Sequence, residues 1–211
     1  MFLSFALAAA APAAANLLTN GSFEAPLVPA AFYTNFPGGS NLITGWTVVG
    51  VDSAVVDKAF TQSGITFQAQ DGNQWADLAG ITSNSMTSGV SQTIPTVVNQ
   101  LYEVSFYVGS ATDNSLFFPS TIDLSIDGGP RTSYHNPAAP TTMLDWQRFT
   151  TTFTATAATT SLTFYNGSGP SNYLNGVDNI SVVQIPEPAS CILALASFAS
   201  VLALSYRGNR N

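Results

Sequence analysis

The chain is poor in the residues that most often carry protein chemistry. Its 211 residues include one cysteine, one histidine and five lysines or arginines. A single cysteine excludes an internal disulfide and a zinc site built from several thiolates. His135 alone leaves little scope for imidazole catalysis. With so few cations the chain cannot neutralise a phosphate backbone, which excludes nucleic-acid binding as its function.

Charge of either sign is scarce. Charged residues make up 8% of the chain, where about 25% is usual for a soluble domain. The 12 acidic side chains nevertheless give a formal net charge of −7. The hydrophobic share of 45% is too high for an intrinsically disordered chain. The length therefore suits one folded domain with processing segments at its ends.

The N-terminal segment is apolar and uncharged. Residues 2–11 form an apolar run, and Ala13-Ala14-Ala15 then fits a small-residue cleavage site. This pattern predicts a secretory signal peptide over residues 1–15, cut before Asn16. The alternative is a buried alanine-rich helix. We favour the signal peptide because residues 16–22 have the composition of a loop followed by a strand.

The C-terminal segment predicts a membrane-spanning helix. Residues 189–206 contain no charged side chain, and at about 1.5 Å per residue such a helix just spans a hydrocarbon core of about 30 Å. Arg207 and Arg210 follow it, which is a stop-transfer pattern with the tail inside. The alternative is an amphipathic core helix, but the segment lacks a polar stripe.

The same segment resembles a known sorting signal. Pro186, Glu187 and Pro188, the apolar run and the terminal arginines together are similar to the PEP-CTERM signal of Gram-negative bacteria over residues 185–211. The resemblance implies export and a transient anchor in the inner membrane. It also implies processing by an exosortase-type enzyme and delivery to the cell surface or the exopolysaccharide matrix.

The body, residues 16–184, predicts an all-β domain. β-branched and aromatic residues alternate with polar ones, as in Tyr102, Val104 and Phe106, and Gly, Pro, Asn and Asp separate these runs. The spacing indicates about eight to ten short strands in a two-sheet sandwich, of either jelly-roll or immunoglobulin topology. Residues 25–44, 111–119 and 129–145 are predicted as surface loops.

Motifs along the body resemble one group of β-sandwich proteins. Residues 16–24 (NLLTNGSFE), Gly45-Trp46 and residues 176–182 (GVDNISV) are similar to galactose-binding-like carbohydrate-binding modules, especially DUF642-type surface proteins. Further matches between these motifs keep the same order, so the resemblance covers residues 16–184. It implies a jelly-roll β-sandwich.

The resemblance also implies a structural calcium ion. In such modules an early glutamate and a late aspartate bind calcium together with backbone carbonyls, and Glu24 and Asp178 match these positions. Ser22 and Gly39 are weaker candidates for the carbonyls. Calcium takes about six to eight oxygen ligands. The alternative is that both carboxylates cap loops by accepting backbone amides.

Sugar binding is a more specific functional hypothesis than a structural or adhesion role. A sugar site needs an exposed aromatic face beside groups that hydrogen-bond to hydroxyls. Each candidate aromatic could instead be an anchor that packs on the sandwich. The candidates are Tyr33, Phe36, Trp75, Phe117, Tyr134 and Tyr173.

Enzymatic activity is not predicted. The chain has no Gly-x-Ser-x-Gly motif, and four of its nine aspartates lie beside Gly or Asn, which suits turns better than acid–base catalysis. We therefore predict an exported, non-enzymatic β-sandwich that binds polysaccharide. The alternatives are a structural matrix or adhesion protein without a sugar site and, less favoured, a glycan hydrolase with a pair of carboxylates.

Overall fold

The computed structural model describes residues 15–112, 117–137, 143–169 and 174–186, and their regular structure is entirely β. The prediction of an all-β domain is confirmed. The strands are β1 (Tyr33–Pro37), β2 (Thr47–Val49), β3 (Asp52–Asp57), β4 (Thr61–Gln62), β5 (Ile65–Thr66), β6 (Gln74–Asp77), β7 (Gly89–Pro95), β8 (Leu101–Thr112), β9 (Phe117–Phe118), β10 (Ser120–Ile126), β11 (Thr132–Asn136), β12 (Asp145–Thr154), β13 (Thr159–Asn166) and β14 (Gly176–Gln184).

Two antiparallel sheets form a sandwich. The first has the order β1-β3-β6-β14-β8-β12, with β9 paired to β8, and the second has the order β11-β10-β13-β7-β2. Strands β4 and β5 form a separate hairpin. The chain changes sheet between most consecutive strands, as in a jelly-roll sandwich.

The main core lies between the two sheets and follows from side-chain alternation. Val104, Phe106 and Val108 on β8 point towards the second sheet and are fully buried. Phe106 packs edge-on against Phe164 of β13, with ring centroids 5.2 Å apart. Each such side chain contributes roughly 1.5–3 kcal/mol by leaving water, so this core supplies most of the driving force for folding.

The start of the body pairs with its end. The amide of Leu17 donates to the carbonyl of Val182 at 2.8 Å, and the amide of Ile180 donates to the carbonyl of Gly21 at 2.9 Å. The side chain of Asn16 adds two hydrogen bonds to the β14 backbone. Residues 16–21 therefore run along β14 and bring the first and last motifs together.

A second apolar cluster covers the outer face of the first sheet. Val56 and Trp75 point to this face, while their neighbours Val55 and Ala76 point into the main core. The β4–β5 hairpin and the residues after it fold back over the outer face and place Phe67 in the cluster. This sheet is therefore buried on both faces near β3 and β6.

The predicted loops were partly wrong. Residues 25–44 contain β1, and residues 129–145 contain β11 and the start of β12. Residues 111–119 contain the end of β8 and all of β9. Strands β1 and β11 are edge strands of their sheets. An edge strand tolerates proline because one row of its amides needs no partner in the sheet, and prolines near these strands mimicked a loop signal.

The predicted processing segments cannot be compared with the fold. Residues 1–14 of the predicted signal peptide and the residues after Pro186, including Glu187, Pro188, Arg207 and Arg210, lie outside the described residues. Within the described ranges no helix is long and apolar enough to cross a membrane.

Gly50 is required where the chain passes from β2 to β3 and so changes sheet. Its φ is +72°, and a Cβ added there would overlap the carbonyl oxygen of Thr87. We expect Gly50→Ala to lower the free energy of unfolding by about 3 kcal/mol or more, measured by urea denaturation. Gly128→Ala is the matched control, because φ is +70° but no atom lies within 4 Å of the added Cβ. If both variants lost the same free energy of unfolding, the close contact with Thr87 would not be the reason that residue 50 must be glycine.

Candidate functional site

A cavity of about 210 Å³ lies on the outer face of the first sheet, and we call it the aromatic pocket. Strand β1 contributes Tyr33, and β6 contributes Trp75 and Asp77. The β4–β5 region covers the pocket with two phenylalanines, Phe60 and Phe67. Polar amides of Gln62 and Asn84 also line it, and these residues are exposed and half-buried respectively.

The pocket wall is a continuous series of rings. Tyr33 meets Phe60 edge-on with centroids 5.6 Å apart, and Phe60 lies 5.5 Å from Phe67. Phe67 stacks on Trp75 at 6.4 Å, and its carbonyl accepts a 2.8 Å hydrogen bond from the Trp75 indole N–H. Phe32, 52% exposed, stacks on Tyr33 at 4.7 Å. The wall therefore runs from the buried indole of Trp75 to Tyr33, and Phe32 stacks on Tyr33 outside the pocket.

Asp77 lines the pocket, and its two carboxylate oxygens have different partners. Its Oδ1 accepts the backbone amides of Ala79 at 3.0 Å and Asn175 at 2.9 Å. Its Oδ2 accepts no hydrogen bond from the described residues, although Asp77 is only 4% exposed. Burial raises the pKa of Asp77 to about 7, against the effect of the two amides, and the nearby charge of Asp52 raises it further.

Asp52 has the opposite environment. Its carboxylate accepts the amides of Ile81 and Thr82, the hydroxyls of Thr82 and Ser83, and the side-chain amide of Asn35. Burial opposes ionisation, but these hydrogen bonds keep the pKa of Asp52 below its usual 3.8. Asp52 therefore anchors the loop that carries Ile81 and Asn84 to the pocket.

The two predicted metal ligands contact one loop, residues 70–74. Glu24 Oε1 accepts the backbone amides of residues 73 and 74 at 2.7 and 2.8 Å. Asp178 is fully buried, and its Oδ2 accepts the amides of residues 70 and 71 at 2.8 and 3.0 Å. Burial raises the pKa of Asp178 to about 8, and the charge of Asp71 also raises it.

This donor arrangement fits loop capping. Among the described residues, no three His, Cys, Asp or Glu side chains converge on a point that could hold a metal ion. Ser22 donates its hydroxyl to Asp71 at 2.7 Å. Gly39 lies in the turn after β1, where its amide donates to the carbonyl of Val48. The structure thus shows the capping alternative directly, and calcium stays a prediction from the resemblance.

Two of the six predicted sugar-binding aromatics, Tyr33 and Trp75, line the aromatic pocket. Phe36 does not, because it is 4% exposed in the main core. Tyr134 is half-buried and packs edge-on against Phe106, with centroids 5.1 Å apart. Phe36 is therefore an anchor of the sandwich, whereas Tyr134 also lines a second cavity of about 270 Å³, and its predicted role in sugar binding stays a prediction. The side chain of Phe117 and all of Tyr173 lie outside the described residues.

Phe60, Phe67 and Asp77 are pocket residues that sequence reasoning missed. Asp77 follows Trp75 by two positions on β6, so strand alternation places both on the same face and could have paired them. No local pattern indicates Phe60 or Phe67, because the chain must fold back over the sheet to bring them there.

The fold and pocket define an all-β sandwich with an aromatic recess on one sheet. The chain belongs to the DUF642 family, described as a protein of unknown function, whose model matches residues 16–182. The DUF642 resemblance is thereby confirmed. No curated protein matches the sequence.

Several solved structures share the fold loosely. The chain is 15% identical to the GH26-CBM35 β-(1,4)-mannanase of Podospora anserina, covering 75% of this chain and 29% of that one, with a TM-score of 0.43. It is 15% identical to the CBM22-1 xylan-binding domain of Paenibacillus barcinonensis Xyn10C, covering 76% and 97%, with a TM-score of 0.43. A family 35 carbohydrate-binding module of Clostridium thermocellum gives 14% identity, 71% and 98% coverage, and a TM-score of 0.39. No ligand follows from likenesses this distant.

The raised pKa of Asp77 predicts a pH-dependent stability. Between its ordinary value of 3.8 and about 7, the folded state keeps the proton that the unfolded state loses. The free energy of unfolding therefore falls as pH rises through this window, by up to about 1.4 kcal/mol per unit for one such carboxyl. Urea denaturation from pH 4 to 8 measures the slope, and Asp77→Asn should make it shallower. A wild-type stability that rises with pH over this range would contradict the prediction.

Calcium binding has its own test. If the resemblance extends to a calcium ion, EDTA should lower the thermal midpoint of the wild type, and added calcium should restore it. Glu24→Gln should remove this dependence, because it takes one charge from the pair. A wild-type midpoint that is the same with EDTA and with calcium would leave Glu24 and Asp178 as loop caps only.

Proposed function

We propose that this chain is a non-enzymatic module that binds polysaccharide by taking a sugar unit into the aromatic pocket. The observation that carries the proposal is that aromatic side chains and Asp77 line the same pocket, and that one carboxylate oxygen of Asp77 accepts no hydrogen bond from the described residues. Sugar rings offer C–H faces that pack on aromatic rings, and hydroxyls that need polar partners. Gln62 and Asn84 provide further donors and acceptors at the pocket wall.

The size of the pocket favours a small part of a polymer. Sites for drug-sized ligands usually measure about 300–1,000 Å³, and this cavity measures about 210 Å³. It therefore suits a single sugar unit or a chain end better than an extended stretch of polymer.

The carboxylates near the pocket favour binding over hydrolysis. Glycoside hydrolysis uses two carboxyl groups about 5–10 Å apart that flank the scissile bond. Asp77 lines the pocket, but Asp52 does not, and both Asp52 oxygens already accept hydrogen bonds from the protein. His135 is exposed on the edge strand β11, where its Nδ1 lies 3.0 Å from the Thr121 hydroxyl, and it does not line the pocket.

Removing one pocket ring tests the proposal. Phe60→Ala takes away an aromatic contact worth about 1.4 kcal/mol, so binding should weaken by about tenfold. Tyr165→Ala is the control, because Tyr165 lies on the other sheet beneath Arg131, at 3.5 Å. Pull-down with insoluble polysaccharides and affinity electrophoresis with soluble ones measure the effect.

The outcomes separate the proposal from its rivals. No binding to any polysaccharide by folded wild-type protein would favour a structural matrix or adhesion protein. Equal weakening in Phe60→Ala and Tyr165→Ala would place the binding surface elsewhere. Release of reducing sugar by the wild type, lost in Asp77→Asn, would favour a hydrolase.

We also propose that the protein is exported and held by its C-terminal segment until an exosortase-type enzyme processes it. Deletion of residues 186–211 should move the protein from the membrane fraction to the soluble exported fraction. Glu187→Gln is the control, because it alters the sorting motif and leaves the apolar segment intact, so that variant should stay in the membrane. A deletion variant that remains membrane-bound would show that the anchor lies elsewhere.

A further inference from the structure

The aromatic pocket has an uneven charge. Its lining, as far as the described residues form it, includes Asp77 and no lysine, arginine or histidine. Among the described residues the one ion pair joins Arg148 to Glu103, at 4.0 Å, and neither residue lines the pocket. The whole chain carries a formal net charge of −7. In the part of the chain that the structure describes, no side chain at the pocket therefore neutralises Asp77.

A buried carboxylate without a counter-ion is an unfavourable arrangement unless a partner arrives. The two backbone amides donate only to Asp77 Oδ1, and Oδ2 accepts no hydrogen bond from the described residues. Asp52 is near enough to raise the pKa of Asp77, so it adds negative potential at the same place. A cationic group that enters the pocket would gain more here than at an exposed aspartate, because less water screens the attraction.

The pocket rings favour the same kind of partner. The faces of tyrosine, phenylalanine and tryptophan attract an ammonium group that lies within about 6 Å of the ring centre. Tyr33 and Phe60 pack edge-on against each other at 89°, so their faces point in different directions, and a ligand that lies against this part of the wall meets the face of one ring. The pocket thus combines an unpartnered carboxylate oxygen with aromatic surfaces that stabilise positive charge.

We propose, building on the proposed function, that the pocket selects sugar units with a free protonated amine, as in a de-N-acetylated amino-sugar polymer. The ammonium group pairs with Asp77 Oδ2, and the sugar ring packs against the aromatic wall. An N-acetylated unit lacks the charge and carries an additional acyl group into a cavity of about 210 Å³. A uronic acid unit brings a second negative charge beside Asp77 and is excluded by repulsion.

Three oligosaccharides of equal length test the selection: glucosamine, N-acetylglucosamine and galacturonic acid oligomers. Isothermal titration of the full chain at pH 6, where the amine is protonated, should show at least tenfold tighter binding of the glucosamine oligomer, together with release of the proton that ligand-free Asp77 keeps at this pH. Asp77→Asn should reduce that preference to less than threefold. Asp145→Asn removes the same charge from an exposed position that does not line the pocket, and it should keep the preference.

Phe60→Ala keeps the test decisive if Asp77→Asn does not fold. This variant leaves both amide bonds of Asp77 in place and should weaken glucosamine binding by about tenfold. Retained wild-type affinity in folded Phe60→Ala would overturn the placement in the aromatic pocket.

Each remaining outcome has a distinct meaning. Equal or tighter binding of the N-acetylated oligomer would overturn the amine selection while the proposed function stands. No binding of these or any other polysaccharide would overturn both. Equal loss in Asp77→Asn and Asp145→Asn would show general attraction between a cationic polymer and an acidic protein, and would also overturn the inference. Binding of a lysine-rich peptide in place of every sugar would assign the pocket to a protein partner.

Discussion

The structure depends on burial of the short strand β6 on both faces. All four of its residues are buried, and it pairs with β3 on one side and β14 on the other. Strand alternation sends Ala76 into the main core and Trp75 to the outer cluster. The core that stabilises the sandwich and the pocket proposed to bind sugar therefore share one strand.

The residue that begins β6 holds the N-terminal part of the body in place. The side chain of Gln74 accepts the amide of Val28 and donates to the carbonyls of Phe23 and Pro26. These bonds are largely buried, so losing them would leave several backbone groups without partners. Residues 23–28 are thus fixed to the strand that also carries the pocket's indole and carboxylate.

A chain so poor in cations must satisfy its carboxylates in another way, and it uses backbone amides. Glu24, Asp52 and Asp178 each accept two or more amides from a loop, so each carboxylate also fixes the shape of that loop. Asp77 follows this rule with only one of its oxygens. Asp57 also accepts two amides through one oxygen, but it is half-buried, whereas Asp77 is buried and its other oxygen is the one that we propose pairs with a ligand.

Much of the fold was predictable because its signals are local. Alternation along β8 and β13 indicated strands, and the resemblance paired Glu24 with Asp178, whose side chains the structure brings to the same loop, residues 70–74. The pocket was less predictable, because it forms from segments that are adjacent only after folding. From the sequence, Trp75 could be interpreted as a core residue or as a binding residue. The structure gives it both positions, because Trp75 is 1% exposed in the outer apolar cluster and also lines the pocket.

Burial of Asp77 would strengthen its attraction for the cationic ligand that we propose. The same burial makes ionisation of Asp77 unfavourable before a ligand binds. An ionised Asp77 is largely removed from water and has no counter-ion among the described residues, so the ligand-free protein lowers this cost by keeping the proton, as the raised pKa indicates. A ligand that brings positive charge favours the ionised form and lowers that pKa. Binding, proton release and stabilisation of the fold are then linked through one side chain. A neutral sugar that binds only by packing on the rings would raise stability without releasing this proton, so the proton count on binding distinguishes the two kinds of ligand at this site.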